Sequence, residues 1–202
     1  PNHWVVACDY ATGRRVTFGR EGAPEAHIED AVVASCSIPG FYRPVRIGDR
    51  SYVDGGIWSA SNLDVLRGLD LDLVICFNPT SSLHPIRAIN PLAAFGLIFN
   101  RASGRRLGSE AKRLRAEGTN VVLVQPTHHD LEAMGINLMR AGNRNRVIGI
   151  ARETVAAQLW EPATANLLAD LPQGDPDMIR RPDRPSYQWP GIEELAARVG
   201  PA

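Results

Sequence analysis

Asp54 stands in Tyr52-Val53-Asp54-Gly55-Gly56, where a carboxylate follows an aromatic and an apolar residue and precedes two glycines. At the tip of a strand, such a carboxylate can take the proton of a hydroxyl as it attacks an ester carbonyl, the task of a general base in acyl transfer. A reference pKa of about 4 makes it a weak base, so a short hydrogen bond and exclusion of water must compensate. Gly55 and Gly56 lack β-carbons, which allows positive φ in the turn and close approach of a serine-bearing loop. Asp-Gly between alternating apolar residues is equally the signal of a hairpin tip, in which Asp54 is purely structural.

Other groups capable of chemistry carry less. Ser35 and Ser37 lie where a short apolar helix meets Pro39-Gly40, and local hydrogen bonding is their expected role. His128-His129-Asp130 suggests metal ligation, but adjacent side chains rarely converge on one ion, and Asp130 suits the cap of a helix start. Cys8, Cys36 and Cys76 are odd in number and far apart, so buried free thiols are expected rather than a disulfide or a metal site. Residues 90–100 concentrate Leu92, Phe95, Leu97, Ile98 and Phe99 beside Arg101, Arg105 and Arg106, a pattern that suits a core-facing helix with a basic flank or a contact with a lipid interface.

The elements that must position these groups are legible from turns and periodicity. Residues 4–8 and 15–18 read as strands joined at Ala11-Thr12-Gly13, followed by a helix over about 25–37 that Pro39 ends. Residues 44–47 and 51–53 read as two further strands around Gly48-Asp49, which puts Asp54 at a strand tip. Residues 63–69 suit a short helix, and 72–77, nearly continuous and apolar, suits a strand buried on both faces of a covered, mainly parallel sheet. A long helix over about 89–117, a strand over 121–124 and helices near 130–139 and 146–168 complete an alternation that indicates α/β/α layers. Between 170 and 190 the chain carries Pro172, Pro176, Pro182, Pro185 and Pro190 amid charges, so 170–202 reads as a proline-rich tail, with a short helix over 192–199.

Composition sets broad limits. The 202 residues, 44% hydrophobic and 22% charged, suffice for one domain with a sizeable core. Basic and acidic residues balance at 22 each, so the net charge calls for no nucleic acid or strongly anionic partner. No apolar run reaches the roughly 20 residues that cross a bilayer. Lys112 is the only lysine among many arginines, which with abundant alanine, glycine and proline suggests a bacterial genome rich in G and C.

From Ala34 to Asn62 the chain reads ASCSIPGFYRPVRIGDRSYVDGGIWSASN: a serine-bearing helix with a proline exit, Phe41 and Tyr42, a strand with Pro44, then the Asp-Gly-Gly. This resembles the C-terminal half of a patatin-like phospholipase domain. HWVVACDYATGRRVTFGR before it, and LDLVICFNP and NVVLVQP after it, extend the resemblance over 1–169, with 170–202 outside it. The resemblance implies a three-layer α/β/α fold with a mainly parallel sheet, of which this chain is the C-terminal portion. It also implies a lipid acyl hydrolase with a Ser-Asp dyad, in which Asp54 is the base on a turn of Gly55 and Gly56. An acyl-serine forms and is then hydrolysed, without histidine, metal or other cofactor.

The family's serine sits in a G-x-S-x-G elbow beside a glycine-rich oxyanion loop, and no serine of this chain has glycines two residues away on both sides. The expectation is therefore that the nucleophile lies upstream, on an N-terminal portion of the same polypeptide that activity requires. These residues alone should expose an apolar edge and aggregate or pair. A lipid ester or phospholipid is the implied substrate, with peripheral membrane contact and a cytoplasmic or membrane-peripheral location. The alternative is a catalytically degenerate domain that binds lipid or a partner. Asn62 is followed by Leu63 where the family often has proline, and it has no assigned role.

Overall fold

The computed structural model describes residues 3–79, 81, 91–135 and 141–172, and for 91–102 and 141 the backbone alone. Two hairpins form the first sheet. Strand β1 (Val5–Asp9) pairs with β2 (Arg15–Phe18) across a turn that Asp9 organises, its Oδ1 accepting the amides of Ala11 at 3.1 Å and Thr12 at 2.8 Å, while Gly13 takes φ +66°. Helix α1 (Ile28–Ser35) follows, then β3 (Val45–Ile47) and β4 (Arg50–Asp54), which turn at Gly48 with φ +62°. β1 also pairs with β4, so the antiparallel order is β2-β1-β4-β3. Arg50 reaches across to the buried Asp9 carboxylate at 3.0 Å and joins the hairpins. Ala31 and Ala34 of α1 pack on Ala7, Phe18, Ile47 and Tyr52, with the Phe18 and Tyr52 rings edge to face at 5.0 Å.

After two short 3-10 turns, Gly55–Ile57 and Leu63–Leu66, strand β5 (Leu73–Phe77) pairs in parallel with β6 (Asn120–Val124), and helix α2 (Pro91–Ala116) makes the crossover. Leu107, Ala111 and Leu114 lie on one stripe of α2 and pack against Leu63, Val74 and Val121. Helix α3 (His128–Met134) begins at a capping box, in which Thr127 and Asp130 each satisfy the other's backbone amide, and ends at Gly135 with φ +66°. The hydroxyl of Thr154, on α4 (Arg144–Trp160), donates to Asp130 at 2.8 Å, and Gln158 brackets the backbone of Gln125 just past β6, leaving α5 (Pro162–Leu168) as the last described element.

The mixed α/β class agrees with the sequence. The larger sheet does not: it is antiparallel, and β5 with β6 is the single parallel pair among the described residues. The reason is local, because strands joined by the short loops at Gly13 and Gly48 can only pair antiparallel. β5 is not covered on both faces either, since Ile75 is 39% and Phe77 63% exposed. The stretch over 146–168 is two helices, because Pro162, which lacks an N–H and fixes φ, starts a new one. The short helix expected after Asn62 is one 3-10 turn that ends at Leu66. The expected tail, from 173 onward, lies outside the described residues, as do residues 136–140 of the expected fourth helix and the side chains of Phe95 and Phe99.

Candidate functional site

Asp54 is the last residue of β4, opposite Ala7 of β1, and half-buried. Its backbone N–H donates to the Ser37 carbonyl at 3.0 Å, so the exit of α1 is fastened to the strand tip. The chain then enters the Gly55–Ile57 turn, which excludes a hairpin at Asp54-Gly55; the hairpins are those at Gly13 and Gly48. Oδ1 of Asp54 accepts the Gly56 N–H at 2.6 Å. Oδ2 accepts no hydrogen bond among the described residues, and a carboxylate held by one oxygen can still receive a proton at the other.

Gly55 and Gly56 are needed for space, not for positive φ, which neither adopts. A β-carbon on Gly55 would lie 2.4 Å from the Val6 carbonyl oxygen, and one on Gly56 would lie 2.9 Å from Oδ1 of Asp54. The first glycine lets the turn lie against β1, and the second leaves the carboxylate its place. The close approach foreseen for a serine loop is thus, within these residues, an approach to the chain's own first strand.

Several residues around the turn carry no local signal in the sequence. Asn62 has a left-handed backbone, φ +48°, and its Nδ2 donates to the carbonyls of Gly55 at 3.2 Å and Ser59 at 2.5 Å. Its Oδ1 accepts from Arg15, whose guanidinium forms a two-pronged pair with Asp64. Burial alone would push the Asp64 carboxyl up, but the hydrogen bond and charge of Arg15 outweigh it and hold Asp64 below the usual carboxylate range. Arg15 and Arg106 each lie within 6 Å of the Trp58 ring, at 5.6 Å and 5.4 Å. Buried Glu110 of α2 accepts from the Ser61 hydroxyl at 2.6 Å and the Leu63 N–H at 3.0 Å, which fixes the far side of the turn.

The remaining candidates do not converge on Asp54. Ser35, the last residue of α1, and Ser37, just beyond it, donate their hydroxyls to the α1 carbonyls of Val32 at 2.9 Å and Val33 at 2.8 Å. Burial pushes the thiol of Cys8, beside β4, up from its ordinary value, which disfavours the thiolate. Cys36 is exposed, contrary to the expectation that all three thiols are buried. Both Asp130 oxygens are occupied by Thr127 and Thr154, and His128 pairs with Glu132 at 2.9 Å on the surface, which leaves the His-His-Asp run structural. Among the described residues no group of three or more His, Cys, Asp or Glu is arranged to hold a metal ion, and no helix is long and apolar enough to cross a membrane.

Residues 2–67 match the family model described as Patatin-like phospholipase. The match spans β1 to the turn after Asn62, including Asp54, Gly55 and Gly56, and the family suggests a lipid acyl hydrolase function.

Proposed function

From a match that includes the Asp-Gly-Gly, we propose that this chain is the aspartate-bearing portion of a patatin-like serine lipid acyl hydrolase, with Asp54 as the base of a Ser-Asp dyad. The observation that supports it best is the carboxylate itself, with one oxygen pinned by the Gly56 N–H and the other accepting no hydrogen bond among the described residues. The nucleophilic serine and the oxyanion donors are on an N-terminal portion of the same polypeptide, since no serine here has the glycine elbow. That portion completes a three-layer domain. It covers Ile38, Phe41 and Tyr42, which follow Ser37 beside Asp54 and stand exposed, Phe41 at 83%.

Asp54 takes the serine proton as Oγ bonds to the ester carbonyl carbon, and the carbonyl electrons move to the oxygen. As the tetrahedral intermediate collapses, the proton passes from Asp54 to the departing alcohol oxygen. Water then attacks the acyl-serine with Asp54 again taking a proton, which it returns to the serine as the fatty acid leaves. The substrate is a phospholipid or other lipid ester, reached by peripheral contact with a membrane from a cytoplasmic or membrane-peripheral position in a bacterial cell. No step calls for a metal or nucleotide.

Asp54→Asn preserves an acceptor for Gly56 and removes the base. In the full-length polypeptide it should fold normally and lose ester hydrolysis by roughly 10²- to 10⁴-fold. Turnover at the wild-type rate would remove Asp54 from the mechanism. A fluorophosphonate adduct on a serine N-terminal to Pro1 supports the hydrolase; failure of the folded full-length protein to form one turns the assignment to a lipid- or partner-binding module.

A further inference from the structure

We propose that Asn62 is a positioning residue for the Asp54 carboxylate, itself held by the Arg15–Asp64 pair; the proposal rests on Asp54 acting as the base. The Gly55 carbonyl and the Gly56 N–H belong to one planar peptide unit. Asn62 Nδ2 donates to that carbonyl at 3.2 Å, and the N–H of the same unit donates to Asp54 Oδ1 at 2.6 Å. The Asn62 amide therefore fixes the plane whose other edge holds the carboxylate, and bonds in series polarise one another. Trp58 and Ser59 donate their N–H groups to the same carbonyl at 3.0 and 3.3 Å, so the peptide is held from within the turn as well.

The orientation of the Asn62 amide follows from its neighbours. Arg15 has donors only, so the side-chain oxygen must face it, at 3.2 Å, and the NH₂ group must face the carbonyls of Gly55 and Ser59. The opposite orientation would set NH₂ against a guanidinium and an oxygen against two oxygens. Arg15 cannot turn away, because both prongs of its fork are taken by Asp64, two residues beyond Asn62. The left-handed backbone at Asn62, φ +48° and ψ +28°, is a conformation that asparagine tolerates better than most residues, and it directs the side chain back over the turn.

Asn62→Asp separates positioning from mere shape. It keeps the size, the tolerance of a left-handed backbone and an oxygen for Arg15, but it removes both donors to the turn. In the full-length polypeptide, hydrogen exchange at the Gly56 amide should quicken by about tenfold or more. Hydrolysis of a p-nitrophenyl ester should fall about 10- to 100-fold in kcat, with KM within about twofold. Arg15→Lys, which keeps the charge but loses the fork, should shift both readouts in the same direction by less. Gly56 exchange unchanged in Asn62→Asp overturns the proposal, and so does faster exchange with wild-type kcat. Asp54→Asn in parallel keeps the failures apart: if it turns over at the wild-type rate, the base assignment falls and positioning falls with it, whereas an inactive Asp54→Asn beside a fully active Asn62→Asp rejects the positioning alone.

Discussion

At the scale of the residue, two adjacent glycines do different work. Gly55 has a carbonyl oxygen of β1 where a β-carbon would go, and backbone cannot step aside as a side-chain tip can. Gly55→Ala should therefore cost about 1–3 kcal/mol, read as a lower urea midpoint. The position beside Gly56 is taken by the Asp54 carboxylate instead. Gly56→Ala should move that group off its N–H, so ester turnover in the full-length polypeptide should drop while the urea midpoint falls less than for Gly55→Ala. Equal stability losses with equal turnover would contradict this division. The glycines were legible from the Asp-Gly-Gly motif, but the reason for them was not: the motif suggests positive φ, whereas the need is for space against Val6, which lies far away in sequence.

At the scale of the element, the turn after β4 is fixed by a buried carboxyl group on a distant helix. Glu110 is buried on α2 and satisfies the Ser61 hydroxyl and the Leu63 amide, with Arg106 one helical turn away at 3.4 Å. Glu110→Ala should leave the Leu63 N–H without a partner and the Ser61 hydroxyl with Ser59 Oγ at 3.3 Å, at a cost of about 1–3 kcal/mol for a donor that stays dry. Glu110→Gln retains an amide oxygen for them and should lose less; denaturant titration of the two variants checks the order. Helix α2 was legible from its helical pattern, and the start of α3 from Asp130, whereas the residue that caps it is Thr127, three positions earlier. The break between α4 and α5 was overlooked although Pro162 signals it, because the apolar pattern on either side runs on smoothly.

At the scale of the whole molecule, stability should respond to acid. Among the described residues four carboxyls are held below their ordinary range: Asp9 by the Thr12 amide and Arg50, Asp64 by Arg15 in spite of burial, Glu117 by Arg67, and Asp130 by Thr127 and Thr154 in spite of burial. Each releases its proton more readily folded than unfolded, so the unfolded chain binds more protons over the interval between the two values and stability rises with pH there. The contribution is complete above the unfolded carboxyl value of about 4 and is lost as pH falls through the lower folded values. The urea midpoint should be flat from neutral pH to about 5 and fall steeply below about 4. Asp64→Asn should flatten that fall, and Glu117→Gln should alter it little, because the Arg67–Glu117 pair lies open to solvent. A midpoint as steep in Asp64→Asn as in the wild type would count against Asp64 as a source of the acid sensitivity.

By itself the sequence determined what neighbouring residues settle: the hairpin turns, a helix start near Asp130 and a carboxylate at a strand tip followed by two glycines. Backbone sterics, hydrogen bonds spanning two or three residues and side-chain periodicity act over such distances, and they leave marks in a linear pattern. Only the tertiary structure decided that the larger sheet is antiparallel, that β5 keeps one face open, and that Arg15, Asn62, Asp64 and Glu110 surround the turn. Those contacts join residues 47 to 49 positions apart. Nothing local marks Arg15 as the partner of Asn62, or Glu110 as that of Leu63. Each pairing exists because two separate elements bury apolar faces together and bring polar groups into reach that must then satisfy one another.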